Sequence, residues 1–248
     1  MAALPVIDVW AVALDAPGAG GPDDWNLLDD GERTRARRYV FSRDWRRFVA
    51  RRAVLRRLLA RQSGCDARAI SYLFGRFGRL RAAGIAHDFS LSHSEERALI
   101  AIGPVARLGV DIERVDPSRA ERGMLARHVE PGLAIRLEAA LEAGDAEPFF
   151  RWWTVVEAMA KARGTGIVEE VPVHARMDWL SGAVELPDDE SVRRRWTLHC
   201  WSPEAGMTAA LACSEPVALQ LHRHGVSADA ATVCPAASVL PIGSHDVV

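Results

Sequence analysis

The chain turns on the stretch Ala98-Leu99-Ile100-Ala101-Ile102-Gly103-Pro104-Val105-Ala106-Arg107-Leu108-Gly109-Val110-Asp111-Ile112-Glu113. Two apolar runs, Ala98 to Ile102 and Leu108 to Ile112, flank the Gly103-Pro104 breaker, and each has the length and composition of a strand. The spacing predicts that they pair as a hairpin. The breaker also divides the chain. Before it the elements read strand–helix–strands, and after it helix–helix–strands. That order predicts an α/β (α+β) protein of two halves, 1–105 and 106–224, followed by a loosely ordered tail over 225–248.

Working outward, Leu4 to Leu14 reads as a strand, broken by Pro17, Gly18, Gly20, Gly21 and Pro22. Glu32 to Gln62 reads as one helix that ends at Ser63-Gly64, with Phe48, Val54, Leu55, Leu58 and Leu59 on one face. Short strands and turns follow from Ile70, and Asp88 to Ser92 alternates polar and apolar residues. A helical region over Pro117–Gly144 is interrupted at Pro131-Gly132, and another from about Pro148 to Arg163 stops at Gly164 and Gly166. Val171 to Met177, Arg195 to Trp201 and Met207 to Cys213 read as strands. No internal repeat is present.

The bulk figures narrow the class. With 248 residues, a net charge of −2 and 49% hydrophobic residues, the chain is too apolar and too nearly neutral for a disordered protein. No window reaches the roughly 20 apolar residues that span a bilayer. Met1 to Trp10 has no basic flank and carries Asp8, so it does not read as a secretory signal, and a cytoplasmic location is expected. Cys65, Cys200, Cys213 and Cys234 lie far apart with no CxxC pair, which predicts free thiols and no structural zinc. Charge is distributed unevenly. Residues 1–31 hold six aspartates and no basic residue, whereas 32–63 hold twelve arginines. Of 31 basic residues, 30 are arginine and the other is Lys161. A GC-rich gene accounts for the missing lysines but not for the place of the one that remains.

Four groups of residues can carry chemistry. Asp111 and Glu113 stand at i and i+2 on a strand, so their carboxylates share a face while Val110 and Ile112 turn to the core. Their repulsion would be relieved by a divalent cation, for which magnesium suits oxygen ligands and substrate phosphates. An acidic strand end that simply alternates is the other reading. Glu157 and Lys161, four apart, share a helix face with Trp153, either as a surface ion pair or as a third carboxylate beside a phosphate-neutralising ammonium. Ser92-His93-Ser94 forms a polar turn able to hold an anion, or contains a histidine that only makes structural hydrogen bonds. The arginine-rich helix suits phosphate, so nucleic-acid binding and a solvated face are both open. The pI near 6.5 and the absence of interleaved aromatics weigh against nucleic acid. No GxSxG, GxxxxGK[ST] or GxGxxG segment occurs, which removes the usual serine-hydrolase, P-loop and dinucleotide routes.

Together, Phe89-Ser90-Leu91-Ser92-His93-Ser94, Gly109-Val110-Asp111-Ile112-Glu113 and Trp153-Thr154-Val155-Val156-Glu157-Ala158-Met159-Ala160-Lys161-Ala162-Arg163-Gly164-Thr165-Gly166-Ile167 resemble the three motifs of the surfactin-synthetase-activating type of 4′-phosphopantetheinyl transferase. The resemblance covers roughly residues 30–180. It implies a monomer of two pseudo-symmetric halves, each a small, mostly antiparallel sheet packed with helices, with coenzyme A in the cleft between them. It implies magnesium-dependent transfer of the phosphopantetheine arm to a serine of an apo acyl or peptidyl carrier protein, as in polyketide or non-ribosomal-peptide synthesis, with release of adenosine 3′,5′-bisphosphate. By motif, Asp111, Glu113 and Glu157 would hold the metal, and Glu157 would help to deprotonate the serine. Lys161, His93 and Ser92 would meet the coenzyme A phosphates, and Arg47 its 3′-phosphate. Gly78-Arg79-Leu80 resembles a Gly-Lys-Pro segment near the adenine, with Arg79 in the place of lysine. Val156 departs from a pattern in which lysine precedes the metal-binding glutamate. A non-catalytic coenzyme A- or carrier-binding homologue is the alternative.

Overall fold

A computed structural model describes residues 4–75, 78–120, 123, 125, 129, 131–164, 176–178, 183–185, 195–223 and 232–234. The strands are β1 (Val6–Ala13), β2 (Tyr72–Phe74), β3 (Leu80–Ala82), β4 (Asp88–Ser94), β5 (Arg97–Gly103), β6 (Leu108–Arg114), β7 (Arg176–Asp178), β8 (Ala183–Glu185), β9 (Arg195–Trp201), β10 (Met207–Cys213), β11 (Ala218–Arg223) and β12 (Thr232–Cys234). The helices are α1 (Pro22–Trp25), α2 (Asp30–Ala36), α3 (Ser42–Ser63), α4 (Pro131–Glu142) and α5 (Glu147–Arg163). Two five-stranded sheets run β12-β11-β1-β5-β4 and β6-β10-β9-β8-β7, and β2 and β3 pair separately. Every pairing is antiparallel except that of β1 with β11. The protein is therefore α+β, as its element order predicts.

The expected hairpin across Gly103-Pro104 does not form. β5 pairs with β1 on one edge and with β4 on the other, while β6 pairs with β10 in the second sheet. The reason is that β5 has no edge left. Ser94 and Arg97 face each other across a two-residue turn, which commits β5 to β4, and β1 takes the opposite edge. Residues 104–107 therefore cross from one sheet to the other.

Burial explains why β5 and β10 are apolar at nearly every position. Leu99 and Ala101 of β5 meet Val110 and Ile112 of β6 and Ala209 and Leu211 of β10 in a core between the sheets. Ala98, Ile100 and Ile102 turn the other way, against Val54, Leu55 and Leu59 of α3. Ala210 and Ala212 of β10 meet Val155, Ala158 and Ala162 of α5. The layers are thus helix, sheet, sheet, helix, and strands buried on both faces read as continuous apolar runs.

The single helix expected over 32–62 is two. α2 is started by a capping box in which the Asp29 carboxylate accepts from the Glu32 amide and Glu32 accepts from the Asp29 amide. It ends before an extended Phe41, and α3 begins at Ser42. The break lets α2 fold back so that Glu32 and Asp29 reach the arginines of α3. Arg56 is fully buried. Its Nε donates to Glu32 Oε2 at 2.6 Å, one Nη to Asp29 Oδ2 at 2.6 Å, and the other to the Ala67 and Ile70 carbonyls at 3.0 and 2.9 Å. Arg52 donates to the second Glu32 oxygen, and the Arg52 and Arg56 guanidiniums lie 4.5 and 5.0 Å from the Tyr72 ring centroid. Part of the arginine-rich helix is accordingly interior: Arg51, Arg52 and Arg56 are buried, whereas Arg43, Arg46 and Arg61 are exposed.

Gly64 and Gly164 end α3 and α5 in the left-handed conformation, at φ 70° and 73°, as their places in the sequence suggest. The expected region over Pro117–Gly144 contains a short 3₁₀ turn at Pro117–Arg119 and α4. Cys65, Cys200 and Cys213 are free thiols. The tail from residue 225 lies outside the described residues apart from Thr232–Cys234, as do most of the run 171–177 and the end of the third motif, 165–167. Among the described residues no helix is long and apolar enough to cross a membrane.

Candidate active site

The site begins with a residue that has no side chain. Gly109, Asp111 and Glu113 alternate along one face of β6, and that face carries α5. A Cβ on Gly109 would collide with the Ala158 carbonyl oxygen and the Ala162 nitrogen, so only glycine lets the helix lie this close. The close approach places Lys161 over Asp111, with Nζ 2.6 Å from Oδ1. The Ser92 hydroxyl completes the group, donating to the same Oδ1 at 2.6 Å and accepting from Lys161 Nζ at 2.8 Å. Glu113 accepts from the Ser94 hydroxyl at 2.9 Å. The structure therefore brings Ser92, Asp111 and Lys161 into contact across three elements.

The electrostatics call for a cation. Asp111 is buried, and burial pushes its carboxyl up while Lys161 and Ser92 pull it back. Burial, reinforced by the Asp111 charge, pushes Glu113 up to about 7 and Glu157 up to about 7. Asp111 Oδ2 is buried with no hydrogen-bond partner. An orphaned carboxylate oxygen with two further carboxyls nearby offers the hard oxygen ligands that suit magnesium by their chemistry. Among the described residues no three of His, Cys, Asp and Glu converge closely enough to hold a metal as they stand. Lys161 holds the counter-charge position at Oδ1.

Two cavities adjoin these residues. One, of about 430 Å³, is lined by Arg43, Arg47 and Arg51 at four-residue spacing on α3, and by His93, Glu113 and Arg119. Arg47 lines it, with its guanidinium forked onto Asp15 at 2.9 and 2.6 Å and reaching Glu95 at 3.4 Å. Arg51 donates to the Tyr39 hydroxyl at 3.1 Å. The sequence reading passed over Arg43, Arg51 and Arg119, although the i, i+4, i+8 spacing of the first with Arg47 and Arg51 signals one helix face. The second cavity, of about 240 Å³, is lined by Arg79, Phe89, Leu91, Lys161 and Gly164, among others. Arg79 spends its guanidinium on protein atoms: the Lys161 carbonyl, the Asp88 carboxylate and, at 2.9 Å, the Leu108 carbonyl. A larger cavity of about 880 Å³, under the Pro17–Pro22 loop, brings together none of the motif residues. Val156 is buried against Phe149, Phe150 and Trp152, so its departure from lysine belongs to packing and takes no cation from the cleft.

His93 reaches solvent at the cleft but is crowded by protein. That desolvation, with the Arg51, Lys161 and Arg47 charges, lowers its pKa to about 4. Its folded pKa lies below the unfolded value of roughly 6.5, so the unfolded chain binds more protons between those values. The contribution is complete above about pH 6.5 and is lost as pH falls toward 4. Glu113 and Glu157 act oppositely: raised from 4.5 to about 7, they cost the metal-free protein stability as pH rises through that interval. In thermal melts from pH 7 to 4 the stability of His93→Gln should therefore rise relative to that of the parent as pH falls. Parallel curves would contradict the assignment.

The protein is α+β, and it sets buried acidic residues and a lysine beside a cleft lined by arginines and a histidine. The chain matches no protein-family model. It is 30% identical over 175 residues to the 4′-phosphopantetheinyl transferase HetI of Nostoc sp., covering 67% of this chain and 73% of that protein. It is 29% identical over 167 residues to the putative 4′-phosphopantetheinyl transferase slr0495 of Synechocystis sp., covering 66% and 67%. The chain belongs to the 4′-phosphopantetheinyl transferase family.

Proposed function

We propose that this enzyme transfers the 4′-phosphopantetheine arm of coenzyme A to a serine of an apo carrier protein, with magnesium, and releases adenosine 3′,5′-bisphosphate, as in the surfactin-synthetase-activating type. The observation that carries this reading is the contact of Lys161 with Ser92 and with Asp111, two residues along β6 from Glu113, which lines a cleft with Arg43, Arg47, Arg51 and His93. Asp111, Glu113 and Glu157 hold magnesium, which when bound neutralises charge on the pyrophosphate. Lys161 binds the pyrophosphate as a compact point charge. Arg47 takes the 3′-phosphate in exchange for Asp15, while Ser92 and His93 meet the phosphates from β4. Arg79 flanks the adenine end from the second cavity.

Glu157 accepts the proton of the carrier serine, directly or through a water. The serine oxygen attacks the phosphorus that bears the pantetheine arm. The bond from that phosphorus to the bridging oxygen breaks, and the bisphosphate leaves with the electron pair. The cleft then lies between a half over 1–105 and a half over 106–224. Exposed Val40 and Phe41 beside Tyr39 and Arg43 at the cleft give a carrier an apolar foothold framed by arginines. We place the protein in the cytoplasm as a monomer, where apo carriers and coenzyme A meet. Incubation with coenzyme A, Mg²⁺ and a panel of apo acyl and peptidyl carriers should add one phosphopantetheine arm to at least one carrier by mass, and EDTA should prevent it. Coenzyme A binding without any mass gain would favour the non-catalytic homologue.

A further inference from the structure

Strand β4 lies at the edge of the first sheet and β6 at the edge of the second, and no backbone pairing joins them. Side chains take its place. The Leu108 amide donates to Asp88 Oδ2 at 2.9 Å, the Val110 amide to Ser90 Oγ at 3.0 Å, and the Arg114 amide to Ser94 Oγ at 3.0 Å, each pair 20 residues apart. The constant offset means that β4 and β6 run parallel in a fixed register, with Asp88, Ser90 and Ser94 acting as rungs. The polar alternation of Asp88, Ser90, Ser92 and Ser94 is the sequence trace of this seam.

The rungs are not equivalent. Asp88 binds a backbone amide and the Arg79 guanidinium, and Ser90 accepts a backbone amide. Ser92 leaves the ladder for Asp111 and Lys161. Ser94, buried at 4% exposure, does both jobs. Its oxygen accepts from the Arg114 amide while its single proton goes to Glu113 Oε2 at 2.9 Å. A hydroxyl has one proton to give, so the Arg114 amide fixes the oxygen and leaves the proton for the carboxylate.

We propose that Ser94 is a positioning residue that aims the Glu113 carboxylate at the cation, so that the seam between the sheets sets the geometry of the metal ligands. This rests on the assignment of Glu113 as a magnesium ligand. Hydrogen-bond partners of ligating groups typically change metal affinity 10- to 100-fold when removed.

The test is Mn²⁺ binding to the full-length protein, read by electron paramagnetic resonance, with thermal melting alongside. Ser94→Ala should weaken Mn²⁺ binding about tenfold or more. Ser94→Cys keeps a polarisable group of similar shape but donates weakly, so it should follow Ser94→Ala and guards against a packing defect in the alanine variant. Ser94→Thr, which keeps the hydroxyl, should bind closer to the parent. Ser90→Ala removes a rung without a carboxylate, and should lower melting while leaving Mn²⁺ affinity at the parent value. Parent-like affinity in Ser94→Ala and Ser94→Cys, or an equal loss in Ser90→Ala, would overturn the role of Ser94 alone. Absence of Mn²⁺ binding in the parent would overturn the metal assignment and this proposal with it.

Discussion

Asp111→Asn is expected to lower turnover by about a thousandfold, the upper part of the range seen when a preorganised electrostatic group is lost, while the protein stays folded. The carboxylate is buried and one of its oxygens has no partner, so the folded chain gains little from its charge. Asparagine keeps the shape, and Lys161, which is 30% exposed, can turn its ammonium toward water. What disappears is the anchor for the cation and the counter-charge that aims Lys161. Lys161→Arg tests the other side of the pair. A planar five-donor fork does not reproduce an ammonium that touches Asp111 Oδ1 and Ser92 Oγ together, so turnover should fall by about 10- to 100-fold with charge conserved. Mn²⁺ binding should vanish in the first variant and persist in the second. A fully active Lys161→Arg enzyme would make the only lysine of the chain a coincidence of composition.

Arg56→Ala should remove about 3–5 kcal/mol of stability, because it leaves Glu32 charged and buried with half of its pairing gone. In a chain of this size that corresponds to a melting temperature lower by about 10 °C. Arg56→Lys should recover only part of the loss, since one ammonium cannot serve Glu32, Asp29 and two carbonyls at once. An exposed arginine of the same helix is the control. Arg43 pairs with Asp44 at 3.1 Å with the two side chains 63% and 33% exposed, and Arg43→Ala should cost less than about 1 kcal/mol. Chemical denaturation that found Arg56→Ala within about 1 kcal/mol of the parent would contradict the central place given to this network.

Comparison of these two regions shows what a sequence discloses. The acidic pair was legible because strand periodicity is local: Asp111 and Glu113 share a face whatever the strand pairs with. β10 and α5 were legible for the same reason, one as an unbroken apolar run and the other by its glycine stop. The hairpin across Gly103-Pro104 was misread because turn chemistry is local while strand partners are not, and β1 and β4 compete for the edges of β5. The arginines of α3 were read as surface because charge usually is. Their partner Glu32 lies twenty residues before Arg52, and only the Asp29-x-x-Glu32 capping spacing hints that the chain turns back there. Lys161 carried a compositional signal, but its contact with Asp111 depends on how closely α5 lies on β6, which no periodicity reports.

That closeness has a consequence for the thermodynamics of substrate binding. Gly109 brings two backbones together, so rigid elements fix the backbone positions from which the Asp111 and Lys161 side chains meet. The entropy of bringing like and unlike charges to one point is largely spent when the chain folds, and is not spent again for each charged ligand that arrives. Affinity for a multiply charged ligand can then be high without a large ordering penalty at the centre of the site.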